Sequence, residues 1–372
     1  MRVIVVGAGI VGLSSAYALT KAGADVTVVE RGAIPNPLAA STDYHRLIRF
    51  AYGDSGGYAR RIHEAFEAWR SMWADLGGPQ ERYYADRGVL SASQEAGDWT
   101  DRTRANMDAL GIEYERIDGV AALAERFPFL EVANVSYGLL SAGGALMANH
   151  ILIDLVWWLR GQGAAVLEHS PVETVDAANG AVTLQDGRRV EGDAVLLAAG
   201  VETARLLPDM ALPLTPHRTI IVYAEPPEHL RAAFANAPCW THLGGSPALW
   251  GMPPIGSLPA KLGASHLGRR DPDMANRAIG HDEMELMRSQ YRGRFRDADQ
   301  FVLRWGQANY WVHAPDERFY LRQADRAFVV SADSGHGFKF GALTGRDVSD
   351  ALMGDVAIDV VAERLAGLQA AA

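Results

Sequence analysis

The sequence predicts an α/β plus antiparallel-β protein: a Rossmann-like domain joined to a second domain on an antiparallel sheet. Three observations carry this. The first thirty residues set two apolar strands around a glycine turn and a helix. A strand, a glycine-rich loop and a helix return at 328–353. Between them, 219–304 alternates apolar segments without that rhythm, as an antiparallel sheet with helices does.

The opening unit is the most informative. Val3 to Val6 forms a short strand, and Gly7, Gly9 and Gly12 mark the turn. Leu13 to Lys21 reads as a helix, and Val26 to Val29 as a second strand that ends on Glu30. Gly7 permits a tight turn, Gly9 lets backbone approach a pyrophosphate, and Gly12 lets the helix pack on the strand. The helix N-terminus offers N–H groups to phosphate oxygens, and Glu30 is placed to take ribose hydroxyls. Together these predict a dinucleotide-binding βαβ unit.

Pro35 and Pro37 then break the rhythm, before Ser41-Thr-Asp-Tyr-His-Arg-Leu-Ile-Arg-Phe-Ala-Tyr-Gly. Arg46 and Arg49, three apart, share a face if this piece is helical. Ile62, Phe66, Trp69 and Trp73 recur at helical spacing and predict a core helix over 58–76. A strand is expected from Arg87, helices at 99–110 and 149–161, and short strands at 165–168 and 172–175. Asp186-Gly187 reads as a hairpin turn, and the apolar 192–200 segment ends in Ala-Ala-Gly, where a cofactor can lie against backbone. In the later loop, Ser334-Gly-His-Gly-Phe-Lys-Phe leads into a helix from Ala342 to Met353. An Ala-rich tail closes the chain.

Composition narrows the class. At 372 residues, 48% hydrophobic and 22% charged, the chain has room for a sizeable core and for two domains. A net charge of −10 argues against nucleic acid as a partner. Cys239 is the only cysteine, so no intrachain disulfide forms and a thiolate metal cluster is not expected; no metal is assigned. Met1 leads into a strand without a basic leader, and no apolar run has the length of a membrane span. A cytoplasmic protein is expected.

These residues resemble the flavin amine-oxidoreductase family of the sarcosine oxidase and N-methyltryptophan oxidase type. The resemblance rests on the Gly7–Gly12 turn, Arg46 to Gly53, Gly192 to Gly200, Ala260-Lys261-Leu-Gly, Pro315-Asp-Glu-Arg-Phe and Ser334 to Phe340. It implies a glutathione-reductase-like FAD domain over 1–85, 141–215 and 317–372, and a substrate domain over 86–140 and 216–316. It further implies FAD bound by Gly7, Gly9, Ile10, Val11, Gly12, Glu30, Arg31, Ser41, Arg46, Val172, Ala199, Gly200, Gly335, Gly337, Phe338 and Lys339. By matching positions, Arg49 and Lys339 clamp a substrate carboxylate, Arg46 lies near the flavin ring, and Lys261 promotes reaction with oxygen.

Departures matter too. The flavin-linking cysteine of covalent members falls on Asn309, so a non-covalent FAD is expected, with His45 as the alternative attachment point. Trp250 and Trp311 stand where sarcosine oxidase has tyrosines, which fits a bulkier aromatic or cyclic amine; a lid packed by tryptophan is the plainer reading. The family's pocket histidine aligns with Ser265, with His266 one step away; a small insertion or deletion nearby puts either in the pocket, and His266 is counted among the expected site residues. The expected reaction is oxidation of a secondary or primary amino acid amine, by hydride transfer to the flavin, to an imine, with oxygen giving hydrogen peroxide. Rivals are a dehydrogenase or desaturase of a cyclic imino acid, a fructosyl amino acid oxidase, and a flavin-binding module without chemistry. A monomer is expected by resemblance.

Overall fold

The computed structural model describes residues 1–245 and 248–368, so the Ala-rich end at 369–372 lies outside the described residues. Four sheets are present among them. The opening unit is β1 (Arg2–Val6), α1 (Ile10–Lys21) and β2 (Asp25–Val29). β1 pairs in parallel with β2 on one side and with Ala194–Leu197 on the other, and Ala327–Ser331 extends the sheet beyond that strand. Ala165–Leu167 and Tyr320–Ala324 are its edges. Alternating Val and Ile residues are buried on both faces of β1, as a parallel sheet covered by helices requires. The Gly341–Met353 helix and the amphipathic α2 (Gly56–Leu76) complete that cover.

The α1 helix begins at Ile10 rather than Leu13, with Gly9 as its N-cap, so Gly12 lies inside its first turn. Gly7 has φ +101°, a conformation open to glycine. A Cβ on Gly12 would stand 1.9 Å from the Gly7 carbonyl oxygen, so backbone would have to move. Gly12→Ala is expected to cost about 2–3 kcal/mol by overpacking, read as a lower urea midpoint. An unchanged midpoint would show that the turn relaxes freely.

The larger sheet runs from Arg269–Arg270 through Thr215–Glu225, Ala260–Ala264, Leu249–Met252, Cys239–Leu243 and Val89–Ser93 to Tyr137–Ser141 and Tyr114–Asp118, with Val302–His313 on Thr215–Glu225. It is antiparallel at each pairing but one. Cys239–Leu243 runs parallel to Val89–Ser93, where two segments far apart in the chain join. A parallel pair needs a long connection, and the intervening chain supplies it.

The Arg46 region is β3 (Arg46–Arg49), a strand paired with Gly143–Leu146, not a helix. Strand alternation sends Arg46 and Arg49 to opposite sides instead of one face. No described helix is long and apolar enough to cross a membrane.

Candidate active site

Parallel strands end on one side of their sheet, and that is where ligands bind in such folds. Here β1, Ala194–Leu197 and Ala327–Ser331 deliver Gly7, Ala198–Gly200 and Ala332–Gly337 to one cavity of about 1240 Å³. Gly9, Ile10, Val11, Glu30, Arg31, Ser41 and Val172 line it as well; Gly12 does not, because it faces Gly7. The Ser41 hydroxyl accepts the Ile10 N–H at 2.9 Å. Glu30 is buried, and its carboxylate accepts N–H groups of Ala8 (2.9 Å), Gly32 (3.0 Å) and the Asn36 amide (2.7 Å). It therefore braces the turn from below while lining the cavity. Arg31 pairs with Glu202 at 2.9 Å.

Two desolvated cations face the same cavity without an anionic partner among the described residues; Arg318, which also lines it, is exposed. Arg49 lies over the Tyr52 ring at 4.6 Å and the Trp99 ring at 5.6 Å, and its Nη1 is buried with no hydrogen bond. Burial pulls its pKa down. Lys339 is buried, and its Nζ reaches only the His336 carbonyl, at 3.2 Å. Burial first, and then repulsion from Arg49, hold the Lys339 ammonium well below its usual range. The Trp69 indole N–H, on α2, donates to the Lys339 carbonyl at 2.8 Å and fixes this turn. Two desolvated cations that repel each other are stabilised by one shared anion.

Lys261 also lines the cavity, but it is not bare. Its ammonium forms a buried ion pair with Asp43 and donates to the His45 carbonyl at 2.8 Å. Asp43 accepts further bonds from Arg46 (2.6 Å) and the Tyr223 hydroxyl (2.6 Å). Burial would raise the Asp43 pKa, but Lys261 and Arg46 outweigh it and hold it below the usual carboxylate range. Burial takes Lys261 down to about 8, against the opposing pull of Asp43. The Asp43 role escaped the sequence reading. A lysine in a strand of small apolar residues, Ala260-Lys-Leu-Gly-Ala, is the signal that asks for a buried acid.

The large sheet forms another wall. Trp250 packs flat over Gly263, whose Cβ would meet its ring at 2.5 Å. Trp311, opposite His217 on the paired strand, and Asn309, opposite Thr219, both line the cavity. The Asn309 side chain accepts the Gln307 amide at 2.7 Å. Ser265 lines the cavity, whereas His266 is exposed and bonds Gln290 at 3.0 Å. The expectation of His266 in the pocket is thus corrected: the strand stops at Ala264, and a tight turn over Ser265–Leu267 swings the next side chain outward. His45 is fully buried against Tyr223 and is not among the lining residues, and Cys239 lies in the core outside the cavity.

The family profile described as FAD dependent oxidoreductase (DAO) matches residues 2–351. The chain belongs to this family. Monomeric sarcosine oxidase of Bacillus sp. (strain NS-129) is 24% identical over 357 residues, covering 93% of this chain and 91% of that protein. N-methyl-L-tryptophan oxidase of Salmonella arizonae is 25% identical over 371 residues, covering 93% of each. Among solved structures, NikD, an unusual amino acid oxidase essential for nikkomycin biosynthesis, superposes with a TM-score of 0.80 at 23% identity, over 98% of this chain and 96% of that one.

The family's FAD fits the residues present. The cavity exceeds the ~300–1000 Å³ of ordinary small-molecule sites, as a dinucleotide with a small substrate requires. Its lining combines a glycine turn at a helix N-terminus with a separate set of cations and aromatic rings.

Proposed function

We propose that this FAD-dependent oxidoreductase is an amino acid amine oxidase of the sarcosine oxidase type. The observation that carries it is the pair of unpartnered cations, Arg49 and Lys339, in the cavity that holds the dinucleotide-binding turn. The names of the related oxidases support the same class. Gly7, Gly9, Ile10, Val11, Glu30, Arg31, Ser41, Val172, Ala199, Gly200, Gly335, Gly337 and Phe338 would hold the FAD. It would be held without a covalent bond, since an asparagine amide is no nucleophile and neither His45 nor Cys239 reaches the cavity lining. Bound FAD supplies the two-electron acceptor that converts an amine to an imine, with oxygen as final acceptor giving hydrogen peroxide.

The chain's own residues do the rest. Arg49 and Lys339 bind the substrate carboxylate and so orient the neighbouring amine; such positioning is worth several kcal/mol. Tyr52, Trp99, Trp250 and Trp311 wall the site and exclude water. Flat rings in these places favour an aromatic or cyclic side chain over a methyl group. One observation favours a dehydrogenase as second reading: Asp43 already neutralises the Lys261 ammonium, the cation assigned to oxygen reactivity.

The test mixes the yellow protein anaerobically with N-methyl amino acids, cyclic imino acids and fructosyl amino acids. Bleaching by an N-methyl or cyclic amine supports the reading, and bleaching by none of them overturns it. Rapid recovery of colour on admitting air marks an oxidase, and slow recovery a dehydrogenase. Acid precipitation should leave the FAD in the supernatant; colour in the pellet would overturn the non-covalent assignment.

A further inference from the structure

One strand of the large sheet breaks its own alternation at the cavity. In Cys239–Leu243, Trp240 pairs with Leu90 and Leu243 with Ala92, so Thr241 and His242 together face the single residue Ser91. This is a β-bulge, and a bulge re-aims a side chain. Thr241 and His242 are neighbours that a regular strand would send to opposite faces, yet both line the cavity. His242 has φ +52°, in the left-handed region that residues with a side chain rarely adopt. Strain of this kind gathers at ligand sites. The turned-in imidazole lies flat on the Trp99 indole, with ring centroids 3.5 Å apart and 6° between the planes. Arg49 lies over the same indole at 5.6 Å, which puts the imidazole within about 9 Å of the guanidinium. Its Nδ1 shares a hydrogen bond of 2.9 Å with the Thr241 hydroxyl, and no described residue bonds its Nε2. By contrast, His336, next to Tyr52, has both nitrogens engaged, by the Tyr52 hydroxyl at 3.4 Å and the Glu317 carbonyl at 3.0 Å.

We propose that His242 is a specificity-determining residue whose Nε2 hydrogen-bonds a polar group on the substrate side chain. The inference rests on the amine-oxidase reading and adds the class of side chain: a cyclic or aromatic one that carries a hydroxyl, an amide or a ring nitrogen. Arg49 and Lys339 take the carboxylate, the tryptophan rings take the flat body, and His242 stands along the same wall to take the far end. Burial first, and then Arg49, bring the imidazole down to about 3, so it meets the ligand neutral. A neutral imidazole that shares one nitrogen with Thr241 presents the other as a single donor or acceptor. A ligand that fills the space without bonding that nitrogen leaves it desolvated and unpaired, and the site discriminates against it for that reason.

The test uses the FAD-loaded enzyme and carboxylates that cannot be oxidised, read by flavin absorbance. Cyclopentanecarboxylate and phenylacetate have no second polar group; 3-hydroxycyclopentanecarboxylate and the ring-hydroxylated phenylacetates add one. In the unmodified enzyme at least one hydroxylated ligand should bind about tenfold tighter than its parent. His242→Phe keeps a flat ring on Trp99 and removes both nitrogens. It should cut that preference to less than about twofold and move the parent's dissociation constant by less than about twofold. An independent reading, should that variant not fold, comes from the imidazole ¹⁵N signals of the unmodified enzyme. The hydroxylated ligand should move one Nε2 signal, absent from His242→Gln, that the parent leaves in place. A preference that survives His242→Phe, or no preference for any hydroxylated ligand, overturns the proposal and leaves the amine-oxidase reading standing. Equal loss of parent and hydroxylated ligands would make His242 a piece of the wall and overturn it too. If no carboxylate binds the unmodified enzyme, the clamp itself falls and this subsite with it.

Discussion

Replacing Arg49 with methionine should raise the dissociation constant of cyclopentanecarboxylate by about a hundredfold, without destabilising the fold. Removing one partner of a buried charged contact costs about 2–5 kcal/mol of binding, and 3 kcal/mol is roughly a factor of 10². In the free protein the same guanidinium is desolvated between Tyr52 and Trp99 and repels Lys339. Methionine relieves that strain and fills similar space, so the thermal midpoint should stay level or rise. The Lys339 ammonium, freed of repulsion, should move back up towards its ordinary range. An unchanged dissociation constant would remove Arg49 from the clamp.

The second large effect falls on Lys261. Lys261→Met leaves the buried Asp43 carboxylate with Arg46 as its remaining cation; breaking a buried pair from one side costs about 3–5 kcal/mol, and Arg46 should keep the loss towards the lower end. The double variant Lys261→Met with Asp43→Asn should recover part of that loss, because the buried carboxylate is gone and only the half-buried Arg46 loses a partner. The pH dependence weakens for a definite reason. In the unmodified protein Asp43 titrates below its unfolded value, so its contribution is present above the ordinary carboxylate range and lost as pH falls. Without Lys261 only Arg46 opposes burial, the native carboxyl binds its proton more tightly, and that acid-side loss should shrink. Urea unfolding of the single and double variants between about pH 4 and 7 reads all of this; equal stability of the two would mean that Arg46 alone satisfies Asp43. In the oxidase reading, Lys261→Met should also slow flavin reoxidation by oxygen far more than flavin reduction.

Local pattern carried the parts of the molecule that depend on local physics. Two Val-rich strands, a glycine turn and a terminal acid define β1, α1 and β2 with little help from elsewhere. The strand-to-helix passage through Lys339 is legible for the same reason. Four residues such as Arg-Leu-Ile-Arg fit either a helix turn or a strand, and the partner Gly143–Leu146 decides between them from almost a hundred residues away. His266 was misplaced by one residue, because the phase of a strand end is set by where pairing stops. Asp43 was invisible in its polar stretch: its burial is defined by Tyr223 and Lys261, both in the other sheet.

Trp99, Trp250 and Trp311 line the cavity, three of the nine tryptophans in the chain. Indole emission overlaps flavin absorption, so energy passes from these rings to any flavin within a few tens of ångströms. The wall that shapes the ligand space is therefore also an optical gauge of its filling. Stripped protein should glow, and returning FAD should dim it in proportion to the sites occupied, with no label attached.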